Sequence, residues 1–166
     1  VKRETISEAV AKLCAHFRRA GKKVGIDTFA GGVADSVGQD LEKLGGMVDF
    51  IKPMIYLRTH APAGVPFEVG AMGEEIARRI SVLGGAEACS MDAAVRQIRA
   101  LLNTGANVAP GIDVNRIDPI CSATPEYVCT YLDRLEEIGC KSVVLAWDAM
   151  RMSDETIDDI GSRYNL

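Results

Sequence analysis

The sequence predicts an α/β fold of parallel strands alternating with helices, and more narrowly one half of a (β/α)8 barrel. Three observations carry this expectation. An opening helix is followed by four strand–helix units, the pattern that parallel sheets with right-handed crossovers produce. Residues 48–58, VDFIKPMIYLR, form a nearly continuous apolar run broken by one lysine, as suits a strand covered on both faces. Each strand also offers one aliphatic face. The opposite face carries glycine, alanine, aspartate, lysine, tyrosine or tryptophan. An open doubly wound sheet needs aliphatic cover on both faces, whereas a barrel interior with a mouth looks like this one. Four units are half of eight. Residues 1–166 therefore read as a single partial barrel domain, with the other half expected before Val1.

The first helix is marked by Thr5 and Glu8, spaced as a capping box, with Ile6, Val10, Leu13, Cys14 and Phe17 following and Gly21 as the stop. Lys22 to Asp27 reads as a strand and Phe29 to Gly32 as a glycine-bearing loop. A helix is expected from Asp35 to Leu44, with Val37, Leu41 and Leu44 buried. In the central strand, Phe50, Lys52, Met54 and Tyr56 share one face and Asp49, Ile51, Ile55 and Leu57 the other. The stretch THAPAGVPFE after it reads as a loop because of its two prolines and its glycine.

Val69, Met72, Ile76, Ile80 and Leu83 mark a helix stopped by Gly84 and Gly85. Another starts near Ser90, buries Met91, Val95, Ile98 and Leu102, and stops at Gly105. In the strand over 107–114, Ala109, Gly111 and Asp113 share a face. Thr124 followed by Pro125 is a strong helix start, with Val128, Leu132, Leu135 and Ile138 as its buried stripe. The last strand is expected over 141–148, with Leu145 and Trp147 on one face and Val144, Ala146 and Asp148 on the other. Ser153 caps a final helix carrying Ile157, Ile160 and Tyr164.

Composition excludes several classes. The chain has 166 residues, 48% hydrophobic and 25% charged, enough for an ordinary core. A net charge of -4 with interspersed signs gives no basic stripe for nucleic acid. No apolar run approaches membrane-spanning length. Five scattered cysteines without a C-x-x-C read as reduced packing residues and lean toward a reducing, cytoplasmic compartment. There is no G-x-S-x-G, no P-loop, and only His16 and His60. Neither a metal site nor a cofactor is expected.

The inward residues at the C-terminal rim are Asp27, Tyr56, Asp113 and Trp147, with Lys52 one layer deeper. Carboxylates in such a mouth bind sugar hydroxyls or move protons, and a tryptophan stacks on a pyranose face. A structural reading stands beside this one: Asp27 and Asp113 flank and neutralise Lys52 as a charged trio, and Trp147 is core. Asp148 points to the helices as a cap. Arg58, His60, Asn115 and Arg116 follow strands and read either as solvated loop residues or as ligand contacts.

Residues 37–56, VGQDLEKLGGMVDFIKPMIY, resemble a family of glycoside hydrolases in the trans-glycosidase barrel superfamily. That family carries a similar G-Q-D-L-x-x-L…V-D-x-I-x-P-M-x-Y pattern on its sixth strand and the helix before it. The resemblance runs from GKKVGIDTFA, like the fifth strand, to VVLAWD, like the eighth. Met54 and Tyr56 are also similar to the sixth-strand M-x-Y of family 18 chitinases, whose tyrosine lines the catalytic subsite. A last-strand tryptophan forms its floor, and Trp147 matches. The resemblance implies a glycoside hydrolase acting on a polysaccharide or oligosaccharide, whose principal acid, on the fourth strand, lies upstream of Val1. On this reading Asp113, Asp27 and Tyr56 are the catalytic candidates. Lys52, Met54, Trp147, Arg58 and Arg116 bind the carbohydrate. The alternative is a non-catalytic barrel that binds glycan or serves as scaffold. An isolated half-barrel is expected to need its missing N-terminal half or to self-associate.

Overall fold

A computed structural model describes residues 1–71 and 89–164. Its spine is a parallel sheet of β1 (Gly25–Phe29), β2 (Phe50–Met54), β3 (Gly111–Asp113) and β6 (Val144–Ala146), in that order across the sheet. Each strand lies beside its predecessor, with no point at which the order reverses. Right-handed crossovers in such a sheet keep their helices on one face. The buried face bears this out: Ile51 and Ile112 are fully covered, packed in one cluster with Ile98, Val128 and Leu132. The opposite face is partly open, with Phe50 and Asp27 exposed.

Register fixes which side chains meet. Asp27 lies opposite Lys52, Met54 opposite Gly111, and Ile112 opposite Leu145. Paired residues in a parallel sheet share a face, so Leu145 sits on the helix side with Ile112. There it lines a groove with Ile157 and Ile160 of the last helix. The expectation that Leu145 shares the mouth with Trp147 is therefore corrected. The peptides Asp118–Pro119 and Ala146–Trp147 are cis.

The helices are α1 (Lys2–Arg19), α2 (Gly31–Val37), α3 (Leu41–Gly45), α4 (Val65–Ala71), α5 (Met91–Asn103), α6 (Pro125–Glu137) and α7 (Asp154–Tyr164). A 3-10 turn covers Ala149–Arg151, and a short hairpin pairs β4 (Arg116–Ile117) with β5 (Cys121–Ser122). The caps expected at Thr124 and Ser153 form, and Ser90, near which a helix is expected to begin, caps as well: the three hydroxyls accept the amides of Tyr127, Thr156 and Ala93.

Other local expectations are corrected. The capping box at Thr5 does not form, because α1 starts at Lys2 and the Thr5 hydroxyl donates to the Val1 carbonyl at 3.1 Å. The strand expected over Lys22 to Asp27 shifts to 25–29, and no glycine loop follows, since Ala30 directly precedes α2. The single helix from Asp35 to Leu44 is two helices. Gly38, at φ 84°, ends α2 in the left-handed region, and Asp40 restarts the chain by capping α3. THAPAGVPFE is not wholly loop, because α4 begins at Val65. Pro66 falls in its first turn, where no backbone N–H is needed. The helix expected on Val69, Met72, Ile76, Ile80 and Leu83 lies outside the described residues beyond Ala71.

Among the described residues no disulfide forms, and Cys14, Cys121 and Cys140 are buried. No helix among them is long and apolar enough to cross a membrane.

Candidate functional site

All four strands point their C-terminal ends at one rim, where Met54, Asp113 and Ala146 finish. The chain leaving β2 then crosses over β3. Thr59 bridges to Cys121, the Ser122 amide donates to the Arg58 carbonyl at 3.0 Å, and the His60 amide donates to Ile120 at 2.7 Å. Residues 58–60 thus add a third strand to the β4–β5 hairpin and roof this end of the sheet.

Asp113 is buried beneath that roof, 0% exposed. Its Oδ2 accepts the Arg58 amide at 2.5 Å and the Thr59 hydroxyl at 3.2 Å, and its Oδ1 accepts the Tyr127 hydroxyl at 2.8 Å. Burial raises its pKa above the ordinary carboxylate value, against the pull of these donors. Burial and the neighbouring carboxylate likewise raise the Tyr127 phenol. Asp113 pins the roof to the sheet and the start of α6.

Asn115, also 0% exposed, performs a second clamp. Its side-chain oxygen accepts the amides of Trp147 at 3.0 Å and Asp148 at 3.2 Å, while its Nδ2 donates to the Asp148 carbonyl at 2.7 Å. One side chain therefore holds both edges of the segment that presents Trp147. Trp147 is 46% exposed and lines a cavity of about 400 Å³ with Tyr56, Thr59, Ala61, Pro62, Ala63 and Ile120. Asp148 turns away to cap the 3-10 turn through the Met150 amide, as its expected cap role requires.

Below the rim, Lys52 Nζ donates to Asp27 Oδ2 at 2.8 Å. The lysine side chain is 17% exposed and the aspartate 56%. Burial works against the Lys52 charge, but the bond to Asp27 and the adjoining Tyr56 outweigh it, and its pKa is raised. Burial also raises the Tyr56 phenol, against the pull of Lys52. Both side chains crowd Gly111. A Cβ there would lie 2.9 Å from the Tyr56 hydroxyl and 3.1 Å from Lys52 Cε, so glycine is what lets them lie across β3.

The expected trio of Lys52, Asp27 and Asp113 does not assemble. Met54 pairs with Gly111, which puts Lys52 level with Ala109. Asp113 stands four residues higher, roughly 13 Å along the strand. Only Asp27 reaches the lysine. Met54 is half-buried on the same face. Arg58 and Arg116 are exposed on the roof, with the Arg58 guanidinium 5.0 Å from the Tyr127 ring centre. Asn115 is no solvated loop residue but the clamp of the rim. Tyr127 entered no list of candidates, although its place in the first turn of α6, three residues after the Thr124 cap, was a usable signal. Helix starts in such units stand at the strand C-terminal rim.

Among the described residues no cluster of His, Cys, Asp and Glu could hold a metal ion. Comparison with protein-family models, curated proteins and solved structures found no match to this chain.

Proposed function

We propose that the C-terminal rim binds a carbohydrate and that the four strands are one half of a (β/α)8 barrel of glycoside-hydrolase type. The carrying observation is the aromatic cavity: Trp147 and Tyr56 line it together, directly above the Lys52–Asp27 pair. A flat, half-exposed indole beside the hydroxyl-bearing Tyr56 and Thr59 suits a sugar ring, which offers one apolar face and a polar edge. The sequential strand order, the open sheet face and the edges at β1 and β6, which pair with no further strand among the described residues, support the half-barrel reading. In this reading Asp27 and Tyr56 are the groups on the open face that meet substrate. Asp113 is a positioning residue, since both its oxygens are occupied. The principal acid implied by the family resemblance comes from the complementary half.

A non-catalytic glycan binder is the second reading. It is favoured by one observation: both inward aspartates are engaged, Asp27 with Lys52 and Asp113 with three donors. Calorimetric titration with a panel of oligosaccharides tests the shared claim. Binding is expected, and Trp147→Ala should abolish it while leaving the fold intact. A panel without a binder, or undiminished binding by Trp147→Ala, refutes the site. Release of new reducing ends by the intact protein favours the enzyme; binding without turnover favours the second reading.

A further inference from the structure

The three-stranded roof has two faces, and register assigns them. Arg58, Ser122 and Arg116 stand side by side in one row, since Ser122 bonds Arg58 on one flank and pairs with Arg116 on the other. Directly opposed residues of an antiparallel ladder share a face. The next row on the same face is His60 with Ile120. The opposite face carries Thr59 and Cys121, which are buried over Asp113. The outward face of the roof is therefore cationic, and Ile120 joins it to the cavity of Trp147 and Tyr56.

Arg3, Arg18, Arg134, Arg151 and Arg163 are each ion-paired. Among the described residues no carboxylate pairs with Arg58 or Arg116; Arg58 rests on the Tyr127 ring. Asp118 in the hairpin turn, two residues after Arg116, and Glu126 at the start of α6 bridge to neither of them. Two strand spacings separate Arg58 from Arg116, roughly 10 Å between backbones, so their long side chains can converge on one anion above Ser122. Guanidinium groups bind carboxylate and sulfate oxygens through paired N–H donors. In a chain of net charge -4, a doubly cationic row beside an aromatic cavity is a selective feature.

We infer that the rim selects acidic glycans, with Arg58 and Arg116 holding the carboxylate or sulfate of a sugar whose ring lies against Trp147. This rests on the carbohydrate reading of the rim. The Ser122 hydroxyl, between the two arginines, is placed to donate to the same anion. Uronic acids and sulfated sugars share the required chemistry, and the experiment separates them.

The test is calorimetry of the protein with oligogalacturonate, which carries carboxylate and no sulfate, a carrageenan-derived tetrasaccharide, which carries sulfate and no carboxylate, and neutral cellotetraose and chitotetraose. Either acidic probe is expected to bind at least about tenfold more tightly than the neutral ones, with affinity falling as salt rises. Which acidic probe binds identifies carboxylate or sulfate. Arg116→Gln, an exposed change, should remove most of that preference. Arg58→Lys keeps the charge on the roof but loses the fork, and should narrow the preference for the acidic probe. Neutral probes binding as well as acidic ones, or an Arg116→Gln variant with full preference, overturns the inference and leaves the carbohydrate reading standing. No binding by any probe overturns both.

Discussion

Asp27 and Asp113 lie on one face of one sheet, yet they occupy opposite physical regimes. Asp27 is more than half exposed and faces a cation, Lys52, across β1 and β2. Asp113 is wholly covered and faces no cation, only an amide and two hydroxyls. The exposed pair gains little, because water already solvates the carboxylate. The buried carboxylate organises everything around it, because each donor aimed at it would otherwise be left without a partner. Strength therefore lies in the buried clamp rather than in the salt bridge. The same contrast separates Asn115, which fixes the backbone of Trp147, from the exposed arginines above it.

Four experiments press on this contrast. Asp113→Ala strands the Arg58 amide and the Thr59 and Tyr127 hydroxyls, and should cost about 3–5 kcal/mol in denaturant unfolding. A loss under ~1 kcal/mol would mean the roof is not pinned there. Asn115→Ala unpairs the amides of Trp147 and Asp148 and should cost about 2–3 kcal/mol, with a shift in tryptophan emission. Lys52→Met should cost no more than about 1 kcal/mol, since Asp27 can turn to solvent. Combined with Asp113→Asn, its effect should simply add, because register keeps the two sites apart. Strong coupling in that cycle would restore the trio that register rules out.

The smallest effect is in pH. The raised folded pKa of Asp113 means that the native state holds its proton more tightly than the unfolded chain, whose value is about 3.8. This contribution is fully present below the unfolded value and declines as pH rises through the folded one. The stability gap between wild type and Asp113→Asn should therefore narrow as pH rises from below 3.8. A gap that widens would mean the donors outweigh burial.

Much of the frame was legible in the sequence. The buried run at 48–58 gave the central strand, the cap residues Ser90, Thr124 and Ser153 placed three helices, and alternation put Lys52, Met54 and Tyr56 on one face. The charged trio failed because alternation assigns faces but not heights. Only the pairing of Met54 with Gly111 reveals that Asp113 stands above Lys52. Leu145 was misplaced because a three-residue strand carries too little alternation to orient it. The clamp role of Asn115 and the whole of Tyr127 were not legible because their partners, Trp147 and Asp113, are brought to them by tertiary folding.

Trp147 is the sole tryptophan, so its emission reports the rim directly. The decisive measurement is a fluorescence titration with oligosaccharide in wild type, Lys52→Met and Asn115→Ala. Sugar stacked on the indole should shift the emission of wild type and of Lys52→Met in the same direction, since Lys52 does not hold the indole in place. Asn115→Ala, with the clamp gone, should lose the response. Unchanged emission in wild type with every sugar, or a full response in Asn115→Ala, would contradict a carbohydrate platform held in place by the buried clamp.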